Sequence, residues 1–228
     1  MSTMVQPTQN TETGRRTQEQ RSAAMRDRLI EATLEVLRSE GYAHASVSRI
    51  VERAGVSRGA YLHHFPAKDL LMHEVGELVL KRIFKAAGVV ALGTTEPEHR
   101  LSNLVWFMWK EVVRGGDGEV LQELFQAART DPELVKSLRP LAIRSIRLFQ
   151  HAAQHYFEPA LKTSPPIEEV IFLIQATLRG LLIDSPLVTE ESFYDRHVEA
   201  LIKLVSLHLK PRDVEGPPSI TADWKKEM

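Results

Sequence analysis

The side chains best able to make specific contacts lie within residues 46–68, which read SVSRIVERAGVSRGAYLHHFPAK. This stretch carries hydrogen-bond donors at Arg58, Tyr61, His63 and Lys68. Cationic and hydroxyl donors of this kind bind phosphate oxygens and the acceptor atoms of bases. The chemistry that the stretch predicts is therefore noncovalent binding of DNA.

Two short helices joined by a tight turn are predicted to position these donors. Ser46 is a natural N-cap, and Gly55 suits the left-handed residue that ends a helix. Ser57 can cap the second helix, whose small residues Gly59 and Ala60 allow close approach to base edges in the major groove. The apolar residues of the first helix follow at i, i+3, i+4 and i+7, at Val47, Ile50, Val51 and Ala54. The pattern indicates a helix-turn-helix.

The chain before this motif divides into a polar arm and one helix. Residues 1–20 are rich in Thr, Gln, Glu and Arg, lack an apolar period and are predicted to be disordered. Within residues 22–41, isoleucine and leucine recur at helical spacing, so we expect the first helix there. Arg15, Arg16 and Arg21 leave two interpretations open, which are an arm that enters the minor groove and a solvated tail.

The motif closely resembles the DNA-binding region of the TetR family of transcription regulators. The resemblance covers about residues 25–72 and is carried by Gly41-Tyr42, the helix Ser46–Gly55, Val56-Ser57-Arg58-Gly59 and His64-Phe65-Pro66-Ala67-Lys68. In that family the helix beginning near Ser57 is the recognition helix, and the position of Lys68 touches the phosphate backbone. The resemblance implies a DNA-facing set of Arg49, Ser57, Arg58, Gly59, Ala60, Tyr61, His63 and Lys68.

One departure from the family pattern concerns the order of Tyr61 and Leu62. The family commonly has Leu-Tyr ahead of its His-Phe pair, so the position of its phosphate-touching tyrosine holds Leu62 here. Two arrangements stay open, because Tyr61 either touches DNA or packs inward while His63 makes the contact. His64, beside Phe65, is interpreted as a hydrogen-bonded structural residue at the end of the helix.

Composition excludes several other classes of protein. The 228 residues include no cysteine, which rules out a disulfide framework, a thiol nucleophile and a zinc–cysteine site. The most apolar run, residues 170–183, is interrupted by Gln175 and Arg179 and is too short to span a bilayer. We expect a soluble, cytoplasmic protein with no cofactor, no metal and no membrane partner.

Charge and helical pattern divide the chain into a head and a larger body. Residues 1–70 hold ten Lys and Arg against eight Asp and Glu, a net charge of +2, while the remainder holds nineteen against twenty-two, a net charge of −3. A mildly basic head suits local contact with DNA. The predicted fold is all-α and TetR-like, with about nine helices and no strand. Its parts are a disordered arm at 1–20, a three-helix helix-turn-helix domain at 21–66, a helical bundle for effector binding and dimerisation at 67–210, and a mobile tail at 211–228.

The two C-terminal helices are apolar on more than one side, which predicts two packing partners. One partner is the core of the same chain. The other is expected to be a second copy of the chain, as the family resemblance also implies. The predicted dimer interface consists of Ile167, Ile171, Ile174, Leu178, Leu201 and Leu204.

The middle helices resemble the part of the family that encloses a small-molecule effector. Gln175 and Arg179 are polar groups in an otherwise apolar helix, and a ligand pocket needs a few such anchors. If Arg179 lines the pocket, it favours a ligand with an anionic group. The alternative is that the aromatic residues of these helices form solid core. The predicted pocket consists of Trp106, Trp109, Phe125, Phe149, Phe172, Gln175 and Arg179.

Two other classes of function compete with this interpretation. An enzyme would need a site that no motif announces, since the P-loop, the G-x-G-x-x-G and the H-E-x-x-H patterns are absent. His151 and His155 have the spacing of metal ligands, but no acidic residue joins them, so we expect an exposed pair. A helical adaptor that binds only protein would not need the small residues around Ser57. We therefore expect a homodimeric DNA-binding repressor, released by an effector from a near-palindromic operator.

Overall fold

The computed structural model describes residues 17–184 and 187–219 and is mainly helical. These residues form nine α-helices, as the sequence predicts. None of the helices in the described ranges is long and apolar enough to cross a membrane. The helices are α1 (Gln18–Glu40), α2 (Val47–Ala54), α3 (Arg58–His64), α4 (Lys68–Gly93), α5 (Arg100–Phe107), α6 (Gly116–Ala128), α7 (Pro132–Tyr156), α8 (Ile167–Asp184) and α9 (Glu191–Ser206).

Local sequence signals determine where α2 and α3 begin and end. The side-chain oxygens of Ser46 and Ser57 cap these helices, accepting hydrogen bonds from the backbone N–H of Arg49 at 3.2 Å and of Ala60 at 3.1 Å. Gly55 has a φ of 62° and a ψ of 42°, the left-handed conformation that glycine adopts without strain. All three predictions are confirmed, and together they produce the tight turn of the motif.

Helix α1 begins earlier than the sequence predicted. Thr17 and Gln20 form a capping box, in which the Thr17 hydroxyl accepts from the N–H of Gln20 at 3.2 Å and the Gln20 side chain accepts from the N–H of Thr17 at 3.0 Å. Arg21 is therefore an exposed residue of α1. The rest of the predicted arm, including Arg15 and Arg16, lies outside the described residues.

A π-helical segment at Met108–Val113 follows α5 and lies close to the start of α6. A Cβ atom added to Gly118 would lie 1.5 Å from the carbonyl oxygen of Val112, and one added to Gly115 would lie 2.0 Å from that of Glu111. Backbone occupies the space that any side chain would need. The glycine-rich break after the π-helical segment is therefore a close-packed junction between two helices.

Two short strands, β1 (Phe157–Pro159) and β2 (Leu209–Pro211), form an antiparallel pair, whereas the sequence predicted no strand. Each has three residues, too few for an alternating pattern to indicate it. Beyond β2, the N–H of Arg212 donates to the carbonyl oxygen of Tyr156 at 2.8 Å. Arg212, Val214 and Gly216 therefore contact the body where a mobile tail was predicted, and the tail beyond residue 219 lies outside the described residues.

Helix α4 joins the head to the body. Its first half buries Leu71, Val75 and Val79 in an apolar cluster that also contains residues of α1, α2, α3, α6 and α7. Its last turns contribute Ala91 to a second cluster, together with α5, α8, α9 and the C-terminal half of α7. The first cluster crosses the predicted domain boundary after residue 66, so the head and the body share one core.

Candidate nucleic-acid interface and ligand chambers

Helix α3 buries one side in the head and presents the other to solvent. Tyr61 and Phe65 are both 1% exposed, and their ring centroids lie 6.3 Å apart in the first apolar cluster. Sequence reasoning left Leu62 out of the DNA-facing set, although its i+4 spacing from Arg58 places both on one side. The solvent side consists of Ser57, Arg58, Gly59, Leu62 and His63, with Ala60 half-buried.

The prediction that Tyr61 contacts DNA is wrong for this structure, because its side chain is buried. Its hydroxyl has no hydrogen-bond partner among the described residues, and burial raises the pKa of that hydroxyl. The physical reason is the helical period, which places Tyr61 one turn from Phe65 on the inward side. Inward packing is thus the arrangement that the structure has, and His63 is the exposed neighbour.

Arg58, the first residue of α3, has an unpaired guanidinium in the described part of the chain. Within the described ranges it makes no hydrogen bond and no ion pair. It stands beside Gly59, where an added Cβ would meet only the hydroxyl of Ser57, at 3.9 Å. A planar donor next to open space can reach a base edge or a phosphate.

Arg49 lies on α2 and is already engaged by carboxylates. Its Nε lies 3.0 and 2.9 Å from the two carboxylate oxygens of Glu40, and its Nη1 lies 2.9 Å from Glu52. Arg53 contacts the same Glu40 carboxylate at 3.2 Å. These pairs hold α2 against the end of α1, so a contact of Arg49 with phosphate competes with an existing ion pair.

Lys68 is half-buried where the head meets the body. Its Nζ lies 3.9 Å from the centroid of the Tyr42 ring, and the Tyr42 hydroxyl donates to Asp131 at 2.9 Å. Burial lowers the pKa of Lys68, whereas the charge of Asp131 acts to raise it. Asp131 also caps α7, accepting from the N–H of Leu134 at 3.0 Å. The residue predicted to touch phosphate thus belongs to a contact between the two parts of the chain.

His64 occupies a structural position at the end of α3. Its carbonyl oxygen accepts from Arg26 at 3.4 Å, and the Arg26 guanidinium lies 4.7 Å from the centroid of the Phe65 ring. Burial, followed by the nearby His63 and Arg26, lowers the pKa of the His64 imidazole. The backbone of His64 thus helps to hold the end of α3, while its imidazole makes no hydrogen bond within the described residues, so the predicted structural role of that side chain stays a prediction.

Catalytic alternatives find little support around this motif. The letters from Gly55 to Gly59 match G-x-S-x-G, a hydrolase pattern that the sequence reasoning overlooked. Ser57, however, is the N-cap of α3, and no His, Asp or Glu side chain of the described residues hydrogen-bonds to it. Nor do three or more His, Asp or Glu side chains in those ranges group to hold a metal ion.

One chamber in the body is lined by most of the residues of the predicted effector pocket. This arginine chamber, named for Arg129 and Arg179 in its lining, has a volume of about 640 Å³ and lies between α4, the π-helical segment, α6, α7 and α8. Ligand sites typically enclose roughly 300–1,000 Å³. The predicted pocket residues in its lining are Phe125, Phe149, Phe172, Gln175 and Arg179.

A second chamber of about 460 Å³, which the sequence did not predict, lies between α4, α5, α7 and α8. The lining of this apolar chamber includes Phe84 and Leu101, and Pro217 and Pro218 from the C-terminal segment also contribute to it. The two chambers meet at a partition, whose residues line both. The partition consists of Met108, Phe149 and Gln175.

Neither tryptophan of the predicted pocket lines these two chambers, which corrects that part of the prediction. Trp109 is fully buried, stacks on Tyr194 with 5.6 Å between ring centroids and has the Arg114 guanidinium 5.6 Å from its own ring. Trp106 is half-buried, with Lys110 Nζ 4.7 Å from its ring. Trp109 lies in the π-helical segment, whose wider turn changes where side chains point, and the α-helical pattern gave no sign of it.

Arg179 is a half-buried cation that makes no hydrogen bond or ion pair in the described part of the chain. Burial lowers the pKa of its guanidinium. Arg129 is exposed and is likewise unpaired among those residues. No Asp or Glu of the described ranges lines the arginine chamber. The chamber thus presents positive charge between apolar walls.

The residues predicted to form the dimer interface divide between core and surface. Leu204 is 63% exposed, while Ile171 and Leu201 are half-buried. The prediction is wrong for Ile167, Ile174 and Leu178. These side chains are at most 7% exposed, because they pack in the second apolar cluster of their own chain. A helix that is apolar on several sides does not reveal from its period which side faces inward. The large apolar residues that are exposed instead are Phe172, Leu173, Ile183, Leu187 and Leu207.

A helical body attached to an exposed helix-turn-helix defines a class, the DNA-binding regulators. A family model described as "Bacterial regulatory proteins, tetR family" matches residues 29–75. The HTH-type transcriptional regulator CymR of Pseudomonas putida is 28% identical over 182 residues, which are 80% of this chain and 89% of CymR. An uncharacterized HTH-type transcriptional regulator of Mycobacterium tuberculosis is 32% identical over 124 residues, which are 54% of this chain and 63% of the relative. Residues 29–75 therefore match the DNA-binding domain of the TetR family, and the relatives support a transcription regulator of that family.

Solved structures share the fold. A transcriptional regulator from Rhodococcus sp. Rha1 superimposes with a TM-score of 0.64 at 23% identity, covering 84% of this chain and 99% of the other. A putative transcriptional regulator from Saccharomonospora viridis in complex with choline gives a TM-score of 0.62 at 18% identity, covering 82% and 99%. At these identities the likeness concerns the fold.

Proposed function

We propose that this protein is an effector-released transcription repressor that acts as a homodimer on a near-palindromic operator. The observation that carries the proposal is the solvent side of α3, where the unpaired Arg58 guanidinium stands among small residues. A helix with such a side can enter the major groove. The proposed DNA-facing set is Arg49, Ser57, Arg58, Gly59, Ala60, Leu62, His63 and Lys68, in which Arg49 and Lys68 reach phosphates.

A second copy of the chain covers the exposed apolar residues of the last two helices in this proposal. Leu173 is 58% exposed and Leu204 is 63% exposed, and exposed apolar patches on a small protein mark interaction surfaces. A two-fold dimer presents two copies of α3, which read half-sites related by the same symmetry. The operator is therefore near-palindromic.

The arginine chamber is the proposed effector site. The Saccharomonospora viridis neighbour holds choline, an organic cation, whereas the chamber here has Arg179 and Arg129 and no acidic lining residue among those described. An unpaired, half-buried guanidinium gains most from an anion. The effector of this chain is thus a small, largely apolar anion.

Release of DNA is transmitted through the contact between head and body. Helices α6 and α7 line the arginine chamber. The same two helices hold the head, because Glu123 of α6 accepts from the N–H of Tyr42 at 2.9 Å and Asp131 accepts from the Tyr42 hydroxyl. A ligand that prefers a different spacing of α6 and α7 shifts the head. A preference of about 100-fold corresponds to roughly 2.7 kcal/mol, enough to release a marginal complex.

The proposal assigns residues 21–66 to DNA binding and residues 67–210 to effector binding and dimerisation. It places the protein with the chromosome in the cytoplasm. It includes no catalytic activity, in keeping with relatives that are regulators.

Footprinting on genomic fragments tests the proposal. We expect two protected half-sites whose centres lie about 10–10.5 base pairs, or a multiple of that, apart. Arg58→Ala should weaken specific binding about 10- to 100-fold, since a good base contact contributes roughly 1–3 kcal/mol. Arg147→Ala, which removes an exposed arginine of α7, is the matched control and should bind like the wild type.

Three results would contradict the proposal. Failure to bind any fragment specifically at moderate salt would favour a protein adaptor. Full protection of one isolated half-site would contradict the two-fold dimer. Equal loss of affinity in the Arg58 and Arg147 variants would mean that general charge, and not the solvent side of α3, carries the binding.

A further inference from the structure

We propose that the two chambers form one site for an elongated amphipathic anion, an alkyl carboxylate whose head lies at Arg179 and whose chain crosses the partition into the apolar chamber. The inference rests on the proposed effector site and names the class of ligand that this site takes. It predicts a dependence on chain length that a single compact pocket would not show.

The two chambers adjoin. Met108, Phe149 and Gln175 line both of them, so their walls are common. Two members of this partition, Met108 and Phe149, are side chains that can change rotamer without breaking a hydrogen bond. Phe149 packs edge-on against Phe84 of the apolar chamber, with 5.6 Å between ring centroids. The partition between the two chambers therefore includes side chains that can move aside.

Charge is distributed unequally between the two chambers. The arginine chamber has Arg129 and Arg179, both without partners among the described residues. In the apolar chamber the charged lining residues of the described ranges are Lys81, which is paired with Glu77 at 2.5 Å, and Lys85, which is exposed to solvent and therefore already hydrated. A carboxylate is therefore best placed at Arg179 and a hydrocarbon chain at the other end.

This chain's own C-terminal segment contributes Pro217 and Pro218 to the lining of the apolar chamber. Pro218 is buried, and the carbonyl oxygen of Gly216 lies 3.1 Å from Nε2 of His155. Arg212 is held as well, since its Nε donates to the carbonyl oxygen of Phe157 at 3.0 Å. These contacts hold the C-terminal segment against the apolar chamber, where the buried Pro218 adds apolar surface for a hydrocarbon chain.

A series of straight-chain carboxylates, from hexanoate to tetradecanoate, tests the proposal on the full-length protein without DNA. Binding is measured by calorimetry below the critical micelle concentrations. We expect the dissociation constant to fall by up to about fourfold for each added methylene, continuing beyond octanoate as the chain enters the apolar chamber. Methyl esters of the same chain length should bind at least tenfold more weakly than the acids, because they lack the charge.

Two variants locate the ends of the ligand. Arg179→Gln should weaken every carboxylate about tenfold or more and leave the slope with chain length intact. Gly88→Leu should fill part of the apolar chamber, because Gly88 lines it and an added Cβ there meets no atom within 4 Å. It should abolish the gain beyond octanoate. Gly93→Leu is the matched control, because a Cβ added at Gly93 also meets no atom within 4 Å and Gly93 lines neither the arginine chamber nor the apolar chamber.

The outcomes separate this inference from the proposed function. An affinity that stops rising at octanoate in the wild type, or equal binding of acids and methyl esters, would overturn the inference. So would Gly88→Leu and Gly93→Leu behaving alike. Operator release is measured separately, so carboxylates that bind as expected without releasing DNA would contradict the proposed repressor mechanism and leave the ligand class standing.

Discussion

Helices α3 and α8 carry the two candidate sites, and they expose their side chains in different ways. Helix α3 has seven residues and packs on one side only, so the other side is free. Helix α8 has eighteen residues, and its side chains reach three environments. Leu178 lies in the second apolar cluster, Arg179 lines the arginine chamber and Leu173 is exposed. The period of a helix identifies its inward side only when it has one apolar side.

The two helices also differ in what surrounds their cations. Arg58 of α3 is exposed, so water solvates it until DNA displaces that water. Arg179 of α8 is half-buried and unpaired among the described residues, so part of its solvation is already lost. A guanidinium in the second situation gains more from a ligand anion than one in water does. Helix α3 therefore suits a polyanion that approaches from solvent, and α8 suits an anion that enters a chamber of the body.

The largest effects are expected when a charged residue is placed on the buried side or on the exposed side of the C-terminal helices. Leu178→Asp puts a carboxylate at a fully buried position and should lower the free energy of unfolding by about 4 kcal/mol or more. Leu204→Asp, at a 63% exposed position, should leave the fold intact and yield monomer. Urea unfolding and analytical ultracentrifugation measure the two effects. A folded, dimeric Leu178→Asp protein would break the distinction between core and interface.

The next effect concerns the inward side of α3. Tyr61→Ala should destabilise the head by roughly 3–5 kcal/mol, as loss of a buried aromatic ring does. Tyr61→Phe should change stability by less than about 1 kcal/mol, because the buried hydroxyl that it removes has no partner in the described part of the chain. Thermal unfolding and operator binding are measured on both. A large loss of DNA affinity in a stable Tyr61→Phe variant would show that the Tyr61 hydroxyl contacts DNA.

A smaller effect is expected at the contact between the regions. Lys68→Ala should weaken all DNA sequences about equally and reduce the salt slope by about one phosphate contact. Its Nζ must first leave the Tyr42 ring, so the loss should be modest, on the order of 1 kcal/mol. Binding is titrated at several salt concentrations on specific and unrelated DNA. A change in sequence preference would assign Lys68 to base reading instead.

The smallest effect concerns how the free energy of unfolding falls at acid pH. The hydrogen bond from the Leu134 N–H, followed by that from Tyr42, lowers the pKa of Asp131 below its ordinary value of 3.8. A carboxylate with a depressed folded pKa stabilises the protein fully above the ordinary value, and that contribution is lost as the pH falls through the folded pKa. Asp131→Asn should therefore unfold with a flatter dependence on pH below about 4. Identical acid limbs for the two proteins would show that Asp131 is not titrating in this window.

The sequence by itself determined the head, because its signals are local. Ser46, Gly55 and Ser57 each act on backbone groups within four residues, so their roles follow from residue type and spacing. The exposed side of α3 follows in the same way from one apolar side of known period. Two residues still required the structure, which are Leu62, left out of the predicted set, and Tyr61, open between two arrangements. Gln175 and Arg179 could be selected as pocket residues because polar groups in an apolar helix are unusual.

Tertiary structure alone decided the rest, because it depends on contacts between residues far apart in the chain. Which side of α8 is core was settled by packing against α5, α7 and α9 in the second cluster, and Trp109 left the predicted pocket through its stack on Tyr194. The apolar chamber needs Pro217 and Pro218 beside α4, which β1 and β2 bring about by pairing two three-residue strands. A three-residue strand is too short to show a periodic pattern, and a helix that is apolar on all sides does not show which side faces the core. The position of such segments is therefore determined by tertiary contacts across the whole fold.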